Sequence, residues 1–127
     1  MFSGININMT ITIHGQLATL AEHDNTNRTN RYAGAKLKKE QTEFVAWQCK
    51  GKKKIEKPVV IAYHWYISSK HDLDNIRFAA KYINDGLVMA GVLHDDSQRY
   101  VKGFEGDYFI KVPKGQEKVV VELNELE

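Results

Sequence analysis

Asp72-Leu73-Asp74-Asn75 places two carboxylates two residues apart. In an extended segment residues i and i+2 share a side, so the two acids would converge on one point while Leu73 turns into the core. Converging carboxylate oxygens suit a hard divalent cation, and magnesium is typically held by one or two carboxylates together with waters and substrate phosphate oxygens. Asp95-Asp96 offers a third acid. A helix from Asp74 followed by a reversal at Gly91 would return the chain antiparallel beside its own start. On a strand, adjacent side chains point to opposite faces, so one of the pair would face the site, and spacing leaves open which. The competing reading is local: Asp72 or Asp74 caps a helix N-terminus, and Asp95-Asp96-Ser97 forms a turn.

Other chemistries lose support. An EF-hand would need a carboxylate or amide where Ile76 stands and a glycine where Arg77 stands. C-x-x-C, H-E-x-x-H, G-x-x-x-x-G-K-[ST] and G-x-S-x-G are all absent, which argues against structural zinc, zincin, P-loop and α/β-hydrolase sites. The histidines His14, His23, His64, His71 and His94 show no ligand spacing and read as structural or surface residues, with phosphate contact as the alternative for His71 and His94, which flank the carboxylates. The single cysteine, Cys49, excludes an internal disulfide and reads as an ordinary buried or half-buried thiol in a reducing cytoplasm.

The formal charge of +2 hides a split. Residues 28–57 hold ten Lys or Arg against three Glu, while residues 71–127 hold seven basic against eleven acidic residues. A polyanion bound by the first part and a metal held by the second both fit this division, against the plainer alternative of solvated surface.

The elements that must carry these residues fit one domain, since 127 residues leave no room for a second. Alternation over residues 9–20 predicts a strand, and the polar stretch 21–31 an exposed, mobile loop. Leu37, Phe44 and Val45 predict an amphipathic helix over 35–49 with Lys36, Lys38 and Lys39 on its outer face. Residues 58–69 read as the central strand, Ile76, Ala79, Ala80, Ile83 and Leu87 as the buried stripe of a helix over 74–89, and Gly91 as its stop. Residues 92–112 read as one or two strands around a turn at Gly103–Gly106, and 118–123 as a terminal strand. The order β-α-β-α-β-β predicts a small α+β domain with a mixed sheet packed against two main helices. Met1–Asn8 reads as a dispensable extension, and Leu126-Glu127 is set aside as a possible cloning scar. No run approaches a transmembrane helix or a signal peptide, so a cytoplasmic protein without a membrane partner is expected.

The segment 72–98, DLDNIRFAAKYINDGLVMAGVLHDDSQ, resembles the RusA-like family of Holliday-junction resolvases, common in prophages. The likeness joins D-L-D-N, a helix ending D-G-L, the A-G-V reversal and D-D-S-Q, and covers about a quarter of the chain. It implies a homodimer that binds four-way DNA junctions and cuts two strands with magnesium, manganese being a possible substitute. By position it implies Asp72, Asp74 and Asp96 as metal ligands with Asp95 close by. The family lysine, one turn after the second acid, is replaced here by Phe78. Counted back from D-G-L, Lys81 stands four before Asp85, as that lysine usually does, which implies three extra residues in the helix. Lys81 would then lie ~4.5 Å further along nearly the same face, and Asp96 rather than Asp95 becomes the counterpart of the second acid.

The expected function is magnesium-dependent phosphodiester hydrolysis in branched DNA, with Lys81 neutralising charge that develops on the phosphate. Arg28, Arg31, Lys36, Lys38 and Lys39 would hold flanking phosphates. So would Lys50, Lys52, Lys53 and Lys54, and beside the acids Lys70 and His71. The alternative is a non-catalytic DNA-binding relative that keeps the fold and predicts junction binding without nicking. A D-x-D nucleotide-sugar transferase would need an α/β nucleotide-binding domain for which the chain has no early βαβ pattern.

Overall fold

The β-branched and aromatic run of β2 (Val59–Ile67) turns Ile61, Tyr63 and Trp65 toward the helices, where all three are buried. The protein is described here by a computed structural model covering the backbone of residues 5–126 and the side chains of residues 9–126. Beside β2 lie β4 (Lys118–Leu126), antiparallel, and β3 (Val101–Lys111), parallel. β1 (Ile5–His14) pairs antiparallel with β4 and completes a mixed sheet of order β1-β4-β2-β3.

Helices α1 (Leu20–Thr29), α2 (Arg31–Gln48), α3 (Leu73–Arg77) and α4 (Ala80–Met89) complete the domain. The core joins Ile11 and Ile13 of β1, Val121 and Leu123 of β4, Val45 of α2, and Ile83 and Leu87 of α4, all at most 1% exposed. Burying one such aliphatic side chain contributes roughly 1.5–3 kcal/mol, so this cluster is the main stabilising element. The crossing of α2 and α4 is tight: a Cβ on Gly86 would lie 2.5 Å from Val45 Cγ1, so glycine is what lets these helices approach. Gly91, at φ +79°, ends α4, with Val92 N–H donating to Leu87 O at 2.9 Å and Gly91 N–H to Val88 O at 3.0 Å.

The α+β class and the mixed sheet agree with expectation, and each main helix has a shorter one before it. The stretch 21–31, expected as a loop, is helical over Leu20–Thr29. It buries none of its own residues, so no apolar stripe betrayed it. It is stabilised by a capping box, in which Thr19 accepts from Glu22 N–H and Glu22 reaches back to Thr19 N–H. The expected helix 74–89 is divided: Ala79 N–H donates to Ile76 O and Lys81 N–H to Phe78 O, tightening the chain into an i→i+3 turn between α3 and α4. Its apolar stripe nevertheless buries as expected. Gly103–Gly106, expected as a turn, lies within the single strand β3, where the register with β2 shifts beside Gly103 and Gly106. Residues 1–4 and 127 lie outside the described residues, but Ile5–Asn8 run in β1 with Ile5 opposite Leu126, so neither stretch set aside at the two ends stands wholly apart from the sheet. No helix among the described residues is long and apolar enough to cross a membrane.

Candidate active site

β2 ends at Ile67, and the following loop is pinned before it reaches the acids. Ser68 Oγ donates to Glu117, and Lys111 Nζ donates to the carbonyls of Ser68 and Ser69. Asp72 is then the N-cap of α3: its carbonyl accepts from Asn75 N–H at 3.0 Å and Ile76 N–H at 3.2 Å, but its carboxylate makes no capping bond. Asp74 lies in the first turn of α3. Leu73, expected in the core, is 50% exposed, because the segment enters a helix at once and Ile76 becomes the buried residue instead.

Asp72 and Asp74 are both exposed and line one hollow with Asp24 and Arg28 of α1. Asn75 builds that hollow: its Oδ1 accepts from Ala21 N–H at 2.8 Å, satisfying a donor at the start of α1 and holding this helix over the acids. Sequence reasoning missed Asn75 and Asp24, since their partners are remote in the chain. Among the described residues the side chains of Asp72 and Asp74 enter no ion pair and no hydrogen bond, so their oxygens are free for a ligand. Two hard oxygen donors at the carboxyl end of a central strand fit magnesium, which commonly takes one or two carboxylates and completes its shell with water and phosphate oxygens.

The second acid pair lies elsewhere. Asp95-Asp96 do not come back beside Asp72 and Asp74, because β3, the strand that makes the return, runs parallel to β2 and the acids fall in the crossover that first carries the chain to the start of β2. Residues 92–100 are accordingly bound there, with Ile55 N–H donating to Val92 O and Val59 N–H to Tyr100 O, both at 2.8 Å. Asp95 accepts from Ser97 N–H at 2.8 Å, and the Ser97 side chain and amide hold its carboxyl below the usual range. Asp96 is exposed and lines a different hollow with Lys81, Asp85 and Arg77. Among the described residues no three His, Cys, Asp or Glu side chains are placed to share one metal ion.

Arg77 in that second hollow is fixed by Asp107, which accepts from Arg77 Nε at 2.9 Å and from Trp65 Nε1 at 2.8 Å. No local pattern links these three residues. Phe78, standing where the resemblance places a lysine, packs against His23 and Tyr82 with ring centroids 5.3 and 5.7 Å apart. A third hollow, lined by Asp24, Lys38, Phe78 and Lys81, shares Asp24 with the first and Phe78 and Lys81 with the second. The three hollows adjoin as a trough whose lining includes Arg28, Lys38, Lys81 and Arg77 as well as Asp24, Asp72, Asp74, Asp85 and Asp96.

The remaining cations divide into two kinds. Lys36 and Lys39 pair with Glu40 and Glu43 one turn on, at 3.8 and 3.9 Å, which spends part of their charge within α2. Arg31, Lys50, Lys52, Lys53, Lys54, Lys70 and His71 are exposed, and none forms an ion pair among the described residues. Cys49 is buried, and burial pushes its thiol up to about 11 against the pull of Lys52, so it is an inert core residue. A cavity of about 30 Å³ between Leu17, Trp65 and Ile76 has room for a water and no larger ligand.

Fold and site together define a small α+β domain with an exposed acidic pair at the carboxyl end of a central strand. The chain matches no protein-family model and no curated protein.

Proposed function

We propose that this protein is a magnesium-dependent, structure-specific endodeoxyribonuclease that cuts branched DNA, four-way junctions above all, as a homodimer. The observation that carries the reading is the state of the D-x-D pair: Asp72 caps α3 by position yet keeps its carboxylate uncommitted, and Asp74 shares its hollow. Together they would hold the cation. When bound, it would polarise the scissile phosphate and lower the pKa of an attacking water. Arg28 would anchor the strand next to the acids, which otherwise repel DNA. Lys81 and Arg77, the latter held by Asp107, would balance charge developing on the phosphate from the adjoining hollow, where Asp96 also lies. A two-fold dimer would supply the second centre needed for paired cuts, consistent with the resemblance to RusA-like resolvases.

A synthetic four-way junction incubated with wild type and with Asp74→Asn, with and without magnesium, tests this. Cutting by wild type only, and only with magnesium, is expected; equal cutting by the variant overturns the assignment. One observation favours the binding-only alternative, namely that Asp96 lines a different hollow from Asp72 and Asp74. Any magnesium-dependent product lost in Asp74→Asn rejects that alternative.

A further inference from the structure

Trp47 is 75% exposed near the end of α2, although a tryptophan this open forfeits the burial that usually recommends the residue. The close α2–α4 crossing at Gly86 brings the end of α4 alongside, so that Trp47 shares a hollow with Met89, itself 56% exposed, and Ala90. Lys50 lines the same hollow, and its N–H donates to Trp47 O at 3.2 Å. Lys52, Lys53 and Lys54 follow, exposed and without ion pairs among the described residues. Glu43, the acid on this hollow, is already paired with Lys39. A flat aromatic face, an apolar floor and a run of unspent lysines together match a single nucleic-acid strand, whose bases stack and whose phosphates need cations. An anionic membrane fits less well, because the helix face leading to Trp47 carries the ion pairs Lys36–Glu40 and Lys39–Glu43 rather than apolar side chains.

We propose that Trp47, Met89 and the lysines Lys50, Lys52, Lys53 and Lys54 form a stacking platform for an unpaired nucleotide of a DNA strand, separate from the acid-lined trough. Its use on branched DNA rests on the function proposed above, since branch points and flaps expose such nucleotides. The strand's backbone would follow the lysines while one base lies on the Trp47 ring.

Intrinsic fluorescence reads this directly, because Trp65, 2% exposed, gives a constant background. A thymidine octanucleotide is expected to quench Trp47 emission, and a blunt duplex of equal length to quench it less. By anisotropy of the labelled octanucleotide, Trp47→Ala should bind roughly five- to hundred-fold more weakly, with Trp47→Phe recovering most of the affinity. Lys52→Gln with Lys53→Gln should lower the slope of log affinity against log salt by about 0.7 for each lysine. Unchanged octanucleotide affinity in Trp47→Ala, equal quenching by the duplex, or a response to phosphatidylserine vesicles without one to the octanucleotide overturns the platform. Junction cleavage by wild type is scored in parallel: its absence counts against the nuclease reading alone, whereas the platform is judged by the single-strand measurements.

Discussion

Asp72 and Asp74 stand at the carboxyl end of β2 with free carboxylates, whereas Asp95, in the loop before β3, is spent on the amide of Ser97. Both pairs are short acidic motifs in polar surroundings, and composition makes them equivalent. What separates them is the local backbone. A turn needs an acceptor two residues before the amide it bends back, and Asp95 supplies it. The α3 cap could have used Asp72 in a similar way and does not. An acid is available to a ligand to the extent that the fold leaves its oxygens unused, and by that measure the first pair is the proposed site while Asp95 is a structural acid.

Substitutions at the uncommitted pair and at positions the fold itself uses should therefore have opposite signatures. The largest effect is expected for Asp72→Asn and Asp74→Asn, each lowering magnesium-dependent junction cutting by at least about 100-fold, the scale on which one lost electrostatic stabiliser acts. Their thermal midpoints should stay near that of wild type, since neither side chain holds the fold together; an unfolded variant breaks the comparison. Gly86→Ala should do the reverse. Its new methyl meets Val45 and costs about 1–3 kcal/mol by thermal or denaturant unfolding, while the acids keep their setting.

Asn75→Ala sharpens the comparison from inside the motif. It leaves both acids in place but frees the start of α1, for an expected loss of about 1 kcal/mol in stability. Cutting should fall as well, because Arg28 rides on α1, and protection of the α1 amides from hydrogen exchange should drop more than that of β2.

The smallest effect concerns pH. Asp95, through Ser97, and Glu117, through Ser68 and then backbone amides, have their carboxyls held below the ordinary range in the folded state. A depressed folded pKa stabilises the fold above the unfolded value, near 4, and that contribution fades as pH falls through the folded value. Asp95→Asn and Glu117→Gln should each lower stability slightly near neutrality and flatten the acid limb of the stability-versus-pH curve, the variant and wild-type curves converging at low pH. A variant whose acid limb matches wild type would show that the turn does not use the charged form.

Local periodicity marks some elements of this chain and not others. The stripe Ile76, Ala79, Ala80, Ile83 and Leu87 was legible because helical burial repeats at a fixed spacing, and β2 because a run of β-branched and aromatic residues suits a strand buried on both faces. Helix α1 carries no such stripe; its one local signal was the T-x-x-E of Thr19 and Glu22, and the rest of its support comes from Asn75, 54 residues away. The glycines of β3 read as a turn because their role as strand irregularities shows only against β2. The Arg77–Asp107–Trp65 network joins residues 30 and 42 apart, beyond any motif.

By itself, the sequence determined the main strands and helices, the cationic stretch 28–57 and the D-x-D pair, since each depends on side-chain type and short-range periodicity. Only the tertiary structure decided that β3 runs parallel to β2, which sends Asp96 to the hollow of Lys81 and gives Asp24 and Arg28 to Asp72 and Asp74 instead. The sense of a strand pairing is set by hydrogen bonds between distant segments, and these leave no periodic trace in either segment alone.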